Sequence, residues 1–149
     1  MSVINFAYGR NMDFNKLKER GVLFEFIGLG ILENYELKFN KIALNKKGVG
    51  YANVVRSKDS KVEGLLFSIE NIERLDKFEG FPNHHQKEIL EIHHSGTLVS
   101  AIVYVAVSKM ISNNLKPEKS YLSNLLSAKE YLSDEYYRFL MSTETISLE

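Results

Sequence analysis

Two stretches of the sequence carry residue types that could do chemistry. The first, Asn5-Phe6-Ala7-Tyr8-Gly9-Arg10-Asn11-Met12, follows an apolar, β-prone start and breaks at Gly9. Glycine lets the backbone turn freely and present bare N–H groups to a ligand. Asp13 comes next and can cap a short helix over Phe14 to Arg20, which Gly21 can end. Strand, glycine turn and helix N-terminus together make a cradle for an anionic or carbonyl-bearing ligand. The second is Glu79, which ends a helical apolar pattern directly before Gly80, Phe81 and Pro82. A lone carboxylate held at a packed helix end can shuttle a proton, although the same spacing suits a solvated helix-end acid.

Other chemistries find little support. The absence of cysteine excludes disulfides, thiol catalysis and thiolate metal sites. The histidines form two adjacent pairs, His84-His85 and His93-His94, and neighbours on a strand point to opposite faces, so neither pair chelates as a unit. No recognised zinc spacing is present, and solvated or hydrogen-bonded histidines are expected rather than a metal site. There is no Gly-x-Ser-x-Gly elbow and no Gly-x-x-x-x-Gly-Lys loop. Gly28-x-Gly30 has the start of a dinucleotide loop, but Glu33 occupies the third glycine position and no βαβ unit follows.

The elements that must position these groups are legible from periodicity. Val22 to Leu32 and Tyr35 to Phe39 read as strands separated by a Glu33-Asn34 turn, with Gly28 and Gly30 marking a bulge or close approach. Tyr51 to Val55 and Val62 to Ile69 read as two more, separated by a polar turn at Ser57 to Ser60. Ile69, Ile72, Leu75 and Phe78 then recur at helical spacing, with Ser68 as candidate N-cap and Gly80 as stop. Ile89 to Ile92 and Leu98 to Val107 flank Ser95-Gly96 as a hairpin, and Tyr104 sits in its second strand. Amphipathic helices over Glu118 to Tyr131 and Ser133 to Met141 close the chain. The strand-rich first half suggests a barrel or curled sheet.

With 149 residues, one domain spanning 1–149 is the simplest organisation. The 19 basic and 19 acidic residues cancel, which removes the electrostatic footprint for nucleic acid or anionic membrane. Asn5, Arg10 and Asp13 near the start argue against a signal peptide or membrane anchor, so a cytoplasmic protein is expected.

Several ordered motifs resemble one family. Phe6-Ala7-Tyr8-Gly9-Arg10-Asn11-Met12 resembles the Tyr-Gly-Ser-Asn-Met/Leu signature of the γ-glutamylcyclotransferase (AIG2-like) superfamily, and Leu75-Asp76-x-x-Glu79-Gly80 its Leu-Asp-x-x-Glu-Gly. Leu32-x-x-Tyr35-x-Leu37-x-Phe39-Asn40, Gly50-Tyr51-Ala52-Asn53, Val62-x-Gly64 and Pro117-x-x-x-Tyr121 fit the remaining blocks in order. The resemblance implies an α+β fold with a mixed β-barrel and peripheral helices. It implies cleavage of a γ-glutamyl amide by internal attack of the α-amino group, releasing 5-oxoproline and an amine or amino acid. Glu79 would be the catalytic acid/base. Asn5, Phe6, Ala7, Tyr8, Gly9, Arg10 and Asn11 would form the substrate-binding turn, Tyr121 would position the substrate, and Tyr104 would line the same cavity. No cofactor or metal is needed. The implied partner is a small-molecule γ-glutamyl substrate, with no nucleic acid and no membrane, and the oligomeric state is left open.

Two departures stand out. Arg10 occupies the position where the family commonly has serine; it can pair with a substrate carboxylate, point to solvent, or fill the pocket. After Glu79-Gly80, His85-Gln86-Lys87 replaces the family's frequent Tyr-x-Arg. The rival to an enzyme is a non-catalytic small-acid-binding module on the same fold.

Overall fold

In a computed structural model, which describes residues 2–147, five strands close into a barrel. They are β1 (Val3–Ala7), β2 (Phe24–Ile42), β3 (Gly50–Ile69), β4 (His85–His94) and β5 (Thr97–Ala106), in the order β1-β3-β2-β4-β5. Neighbours are antiparallel except at the closing seam, where β1 and β5 run parallel through Asn5 and Ile102. The barrel is therefore mixed, and with helices α1 (Phe14–Glu19), α2 (Ile72–Phe78), α3 (Lys119–Leu126) and α4 (Asp134–Met141) around it the fold is α+β, as the sequence implies.

Three boundaries differ from expectation. The strands expected as two pairs are two long ones, because the polar turn residues are absorbed into irregularities of the β2–β3 ladder rather than ending it. The register shifts between Glu33 and Tyr35, and Asn34 and Asp59 both take left-handed φ values of 64° and 65°. The Asp59 N–H donates to the Asn34 side chain across the ladder, so the bulged residues satisfy each other. The expected helix from Glu118 stops at Leu126, where Ser127 Oγ donates to the Asn124 carbonyl, and resumes as a 3-10 turn over Lys129–Tyr131. Ser68 lies within β3, and Asn71 takes the N-cap position of α2.

The helices dock through few residues. Leu17 in α1, Leu75 in α2 and Leu125 in α3 are fully buried, and each such leucine contributes about 1.5–3 kcal/mol of burial. A seven-residue helix such as α2 is too short to persist without that anchoring. Asp13 caps α1 by accepting from the Asn15 N–H, and its second oxygen accepts from Asn124 of α3. Ser133 caps α4, while its N–H and hydroxyl donate to the buried Glu63 carboxylate of β3. Among the described residues, no helix is long and apolar enough to cross a membrane.

Candidate functional site

Two short helices end alike, and their last residues meet. Helix α1 ends with Gly21 at φ +73°, its N–H donating to Lys18 and that of Val22 to Leu17. Helix α2 ends with Gly80 at φ +64°, its N–H donating to Lys77 and that of Phe81 to Asp76. Both are glycine-terminated Schellman closures, and their C-cap residues are Arg20 and Glu79. The Arg20 guanidinium lies 3.9 Å from the Glu79 carboxylate, donates to Asn11 at 2.9 Å, and rests over the Phe78 ring. Asn71 and Arg74 of α2 bond the Gly21 and Arg20 carbonyls, which locks the two helix ends together.

Gly80 is required twice over. Its φ is left-handed, and a Cβ there would stand 2.7 Å from the His84 ring and 2.9 Å from the His84 Cβ. Gly80→Ala is expected to destabilise the protein by about 1–3 kcal/mol, read as a lower urea midpoint at unchanged m value. A midpoint equal to wild type would show that the turn yields freely.

The turn after β1 forms the opposite wall. Asn5 is buried and its amide donates to the Ile102 carbonyl, holding the β1–β5 seam. Phe6 and Ala7 are core residues that reach the cavity from beneath. Gly9 needs no left-handed φ; its requirement is close approach, since a Cβ would lie 2.9 Å from the Tyr121 hydroxyl and 3.2 Å from the Ala52 Cβ. The chain then tightens into a 3-10 turn at Arg10–Met12, and the N–H groups of Gly9 and Asn11 take no acceptor among the described residues. Arg10 does not swing free. Its guanidinium lies 5.3 Å from the Tyr51 ring centroid and 5.0 Å from that of Tyr121, within cation–π range.

Besides Tyr51, three phenols face this space. Tyr8 donates to the Tyr104 carbonyl, and Tyr104 donates to Asp76 Oδ1 at 2.6 Å, with Lys87 on the other Asp76 oxygen at 2.9 Å. Tyr121 accepts from the Ala52 N–H at 3.0 Å. Burial, with the Glu79 charge second, raises the Tyr8 pKa well above the ordinary tyrosine value. Burial and the bond to Asp76 raise that of Tyr104. Burial pushes Tyr121 up to about 12, against the pull of the Ala52 N–H. All three stay protonated near neutrality, so they serve as dipoles and donors rather than bases.

Glu79 and the residues named in the sequence from Asn5 to Asn11, with Tyr104 and Tyr121, all line one cavity of about 400 Å³. Arg20 and Lys41 on that wall, and Asp76 behind Tyr104, were not singled out from sequence. Arg20 read as a helix end, and Asp76 as part of a motif. Lys41 is buried near the end of β2, just past the register shift between Lys38 and Lys41, so strand alternation offered no signal for it in the sequence. Lys41 Nζ donates to the Ile42 carbonyl at 3.0 Å and meets His84 Nδ1 at 2.9 Å. Burial and the adjacent ammonium lower the His84 pKa, so its ring is neutral and Nδ1 accepts. The histidine pairs part company: His85 bonds the Glu79 carbonyl at the site, whereas His93 faces Glu33 and His94 bonds Leu29.

A family model described as gamma-glutamyl cyclotransferase, AIG2-like, matches residues 5–124. Among solved structures, one called gamma-glutamyl cyclotransferase superposes with a TM-score of 0.88 at 21% identity, covering 99% of this chain and 91% of that one. The uncharacterized protein loc79017 from Homo sapiens superposes with a TM-score of 0.89 at 21% identity and the same coverage. A gamma-glutamyl cyclotransferase specific to glutathione from yeast gives 0.66 at 13% identity, covering 94% of each chain. At such identities these likenesses establish the fold. No curated protein matches the sequence. The family model spans the Gly9 turn, Glu79 and Tyr121 in one continuous match, and the chain belongs to the gamma-glutamyl cyclotransferase, AIG2-like family.

Proposed function

We propose that the protein cleaves a γ-glutamyl amine or γ-glutamyl amino acid by cyclisation to 5-oxoproline. The observation that carries this reading is the placement of Glu79 and the unpartnered Gly9 and Asn11 N–H groups on one cavity, with Arg20 touching both sides.

In this reading the γ-glutamyl part folds back on itself against the Tyr8–Asn11 turn. Glu79 takes a proton from the α-ammonium, and the freed amine attacks the γ-carbonyl carbon. The carbonyl becomes a tetrahedral oxyanion, for which preorganised N–H donors are the strongest available stabiliser. Glu79 returns the proton to the leaving nitrogen, the C–N bond breaks and the carbonyl reforms. The ring nitrogen then gives up its second proton through Glu79 to the released amine, which departs as an ammonium and leaves the neutral lactam of 5-oxoproline. No water enters the balance. Because attack is intramolecular, holding the near-attack conformer supplies much of the acceleration. Tyr121 shapes the floor through its contact with Gly9, and the Tyr104–Asp76–Lys87 chain keeps α2, and so Glu79, in register. Arg20 fixes the carboxylate's orientation without a close ion pair.

A panel of γ-glutamyl amines and amino acids, assayed for 5-oxoproline release by the full chain, tests the reading; turnover of one class of compound supports it. A second reading, a small-acid-binding module, draws on Arg10 lying across the cavity wall over two tyrosines. No turnover across the panel, together with calorimetric binding of an acidic metabolite, would select it.

A further inference from the structure

We propose that Lys41 reads a carboxylate on the leaving amine, so that the preferred substrates are γ-glutamyl amino acids with a free α-carboxylate rather than γ-glutamyl amines. This rests on the cyclotransferase reading and narrows it.

The argument is an inventory of charge. The cavity wall carries Arg10, Arg20, Lys41 and Lys77 against one lining carboxylate, Glu79. Arg20 is matched to Glu79 and Asn11, and Lys77 is solvent-exposed. Arg10 rests on the faces of Tyr51 and Tyr121, and Lys41 Nζ also lies 5.7 Å from the Tyr51 centroid, a contact that brings no neutralising carboxylate. Lys41 is 5% exposed, yet no carboxylate lies within ion-pair distance of it among the described residues. A buried ammonium without an anion is costly, and such positions persist where a ligand supplies the charge.

A γ-glutamyl acyl group brings one carboxylate and one ammonium, which the turn and Glu79 take up. The surplus calls for a second anion, and only the leaving half of the substrate can carry it. An ammonium has three donors. Two of those on Lys41 go to the Ile42 carbonyl and His84 Nδ1, leaving one for a ligand. Burial lowers the Lys41 pKa, the Glu79 charge opposes that shift, and both side chains line the same cavity without an ion pair between them. Glu79 must reach the leaving nitrogen, so a cation one step beyond it suits a carboxylate on the adjoining carbon. The geometry is held from two sides: β2, past the register shift between Lys38 and Lys41, buries Lys41 on the cavity wall, and the glycine-closed turn after Glu79 delivers His84 to it.

The test compares γ-glutamyl-L-alanine with γ-glutamyl-L-alaninamide, which differ in charge but little in size, by 5-oxoproline release. Wild type is expected to prefer the acid in kcat/KM by about 10- to 100-fold, the range that one charge-assisted hydrogen bond supports. In Lys41→Met, of similar length without charge, that ratio should fall to within about threefold of unity, and Lys41→Arg should restore part of it. A wild-type ratio near one overturns the inference while leaving the enzyme reading intact, as does an unchanged ratio in Lys41→Met. Should Lys41→Met not fold, the wild-type ratio alone decides. Turnover of neither compound, nor of any other in the panel, overturns the enzyme reading and this inference with it.

Discussion

Glu79→Gln protein is expected to fold like wild type and to release 5-oxoproline more slowly by at least about 100-fold, the lower bound for removing a positioned general acid–base. The substitution keeps the shape of the side chain and removes its ability to carry a proton between two nitrogens. Little structural cost accompanies it. The Arg20 contact is long at 3.9 Å, and Arg20 retains Asn11 and the face of Phe78 as partners. The turn itself is built from backbone bonds of Asp76, Lys77, Gly80 and Phe81, none of which involves the carboxylate. Circular dichroism and the urea midpoint should therefore match wild type while kcat falls. Wild-type turnover by Glu79→Gln would remove this residue from the mechanism; equal loss of fold and activity would mean that its role is structural.

Gly64→Ala should act on the other wall, and through the backbone. Gly64 lies in β3 opposite Gly30, at the crossing where β1 packs into the barrel. A Cβ there would fall 2.4 Å from the Ala7 carbonyl oxygen and under 3 Å from two atoms of the Phe6 ring. A ring end can rotate, but a carbonyl in a paired strand moves only with its strand. Overpacking of this kind costs about 1–3 kcal/mol and occasionally more. Here the displaced carbonyl belongs to the residue just before Tyr8, so the protein that remains folded should carry a shifted Gly9 turn. The expected result is a lower thermal midpoint together with a raised KM for any γ-glutamyl substrate. Loss of stability with unchanged KM would show that β1 recoils without moving the turn.

These two substitutions separate what is local from what is not. Asp13 as a cap, Gly21 and Gly80 as helix stops and Ser133 as the start of α4 all fell where residue chemistry placed them, because each acts through bonds to the next few residues. The barrel was foreshadowed by alternating apolar runs, yet Ser57 to Ser60 read as a turn that ends a strand. Whether polar residues end a ladder or bulge out of it depends on the facing strand, and Asn34 across the ladder supplied the bond that kept β3 continuous. Helix α3 stopped short for a similar reason: period describes a face, not the point at which the Ser127 hydroxyl bonds back onto the Asn124 carbonyl.

The site divides along the same line. Asn5 to Asn11 and Glu79 stood out because glycine turns and helix-end acids carry their chemistry in adjacent residues. Arg20 looked like an ordinary helix end until two Schellman turns set it against Glu79. Arg10, whose side chain had three open destinations, is placed by Tyr51 and Tyr121, which lie 41 and 111 positions further along the numbering. Lys41 left no trace in the alternation, because a register shift precedes it, and its meaning depends on His84 and on having no carboxylate within ion-pair distance among the described residues. A sequence lists charges; whether a charge is paired depends on distances between distant residues, and those exist only once the barrel has closed.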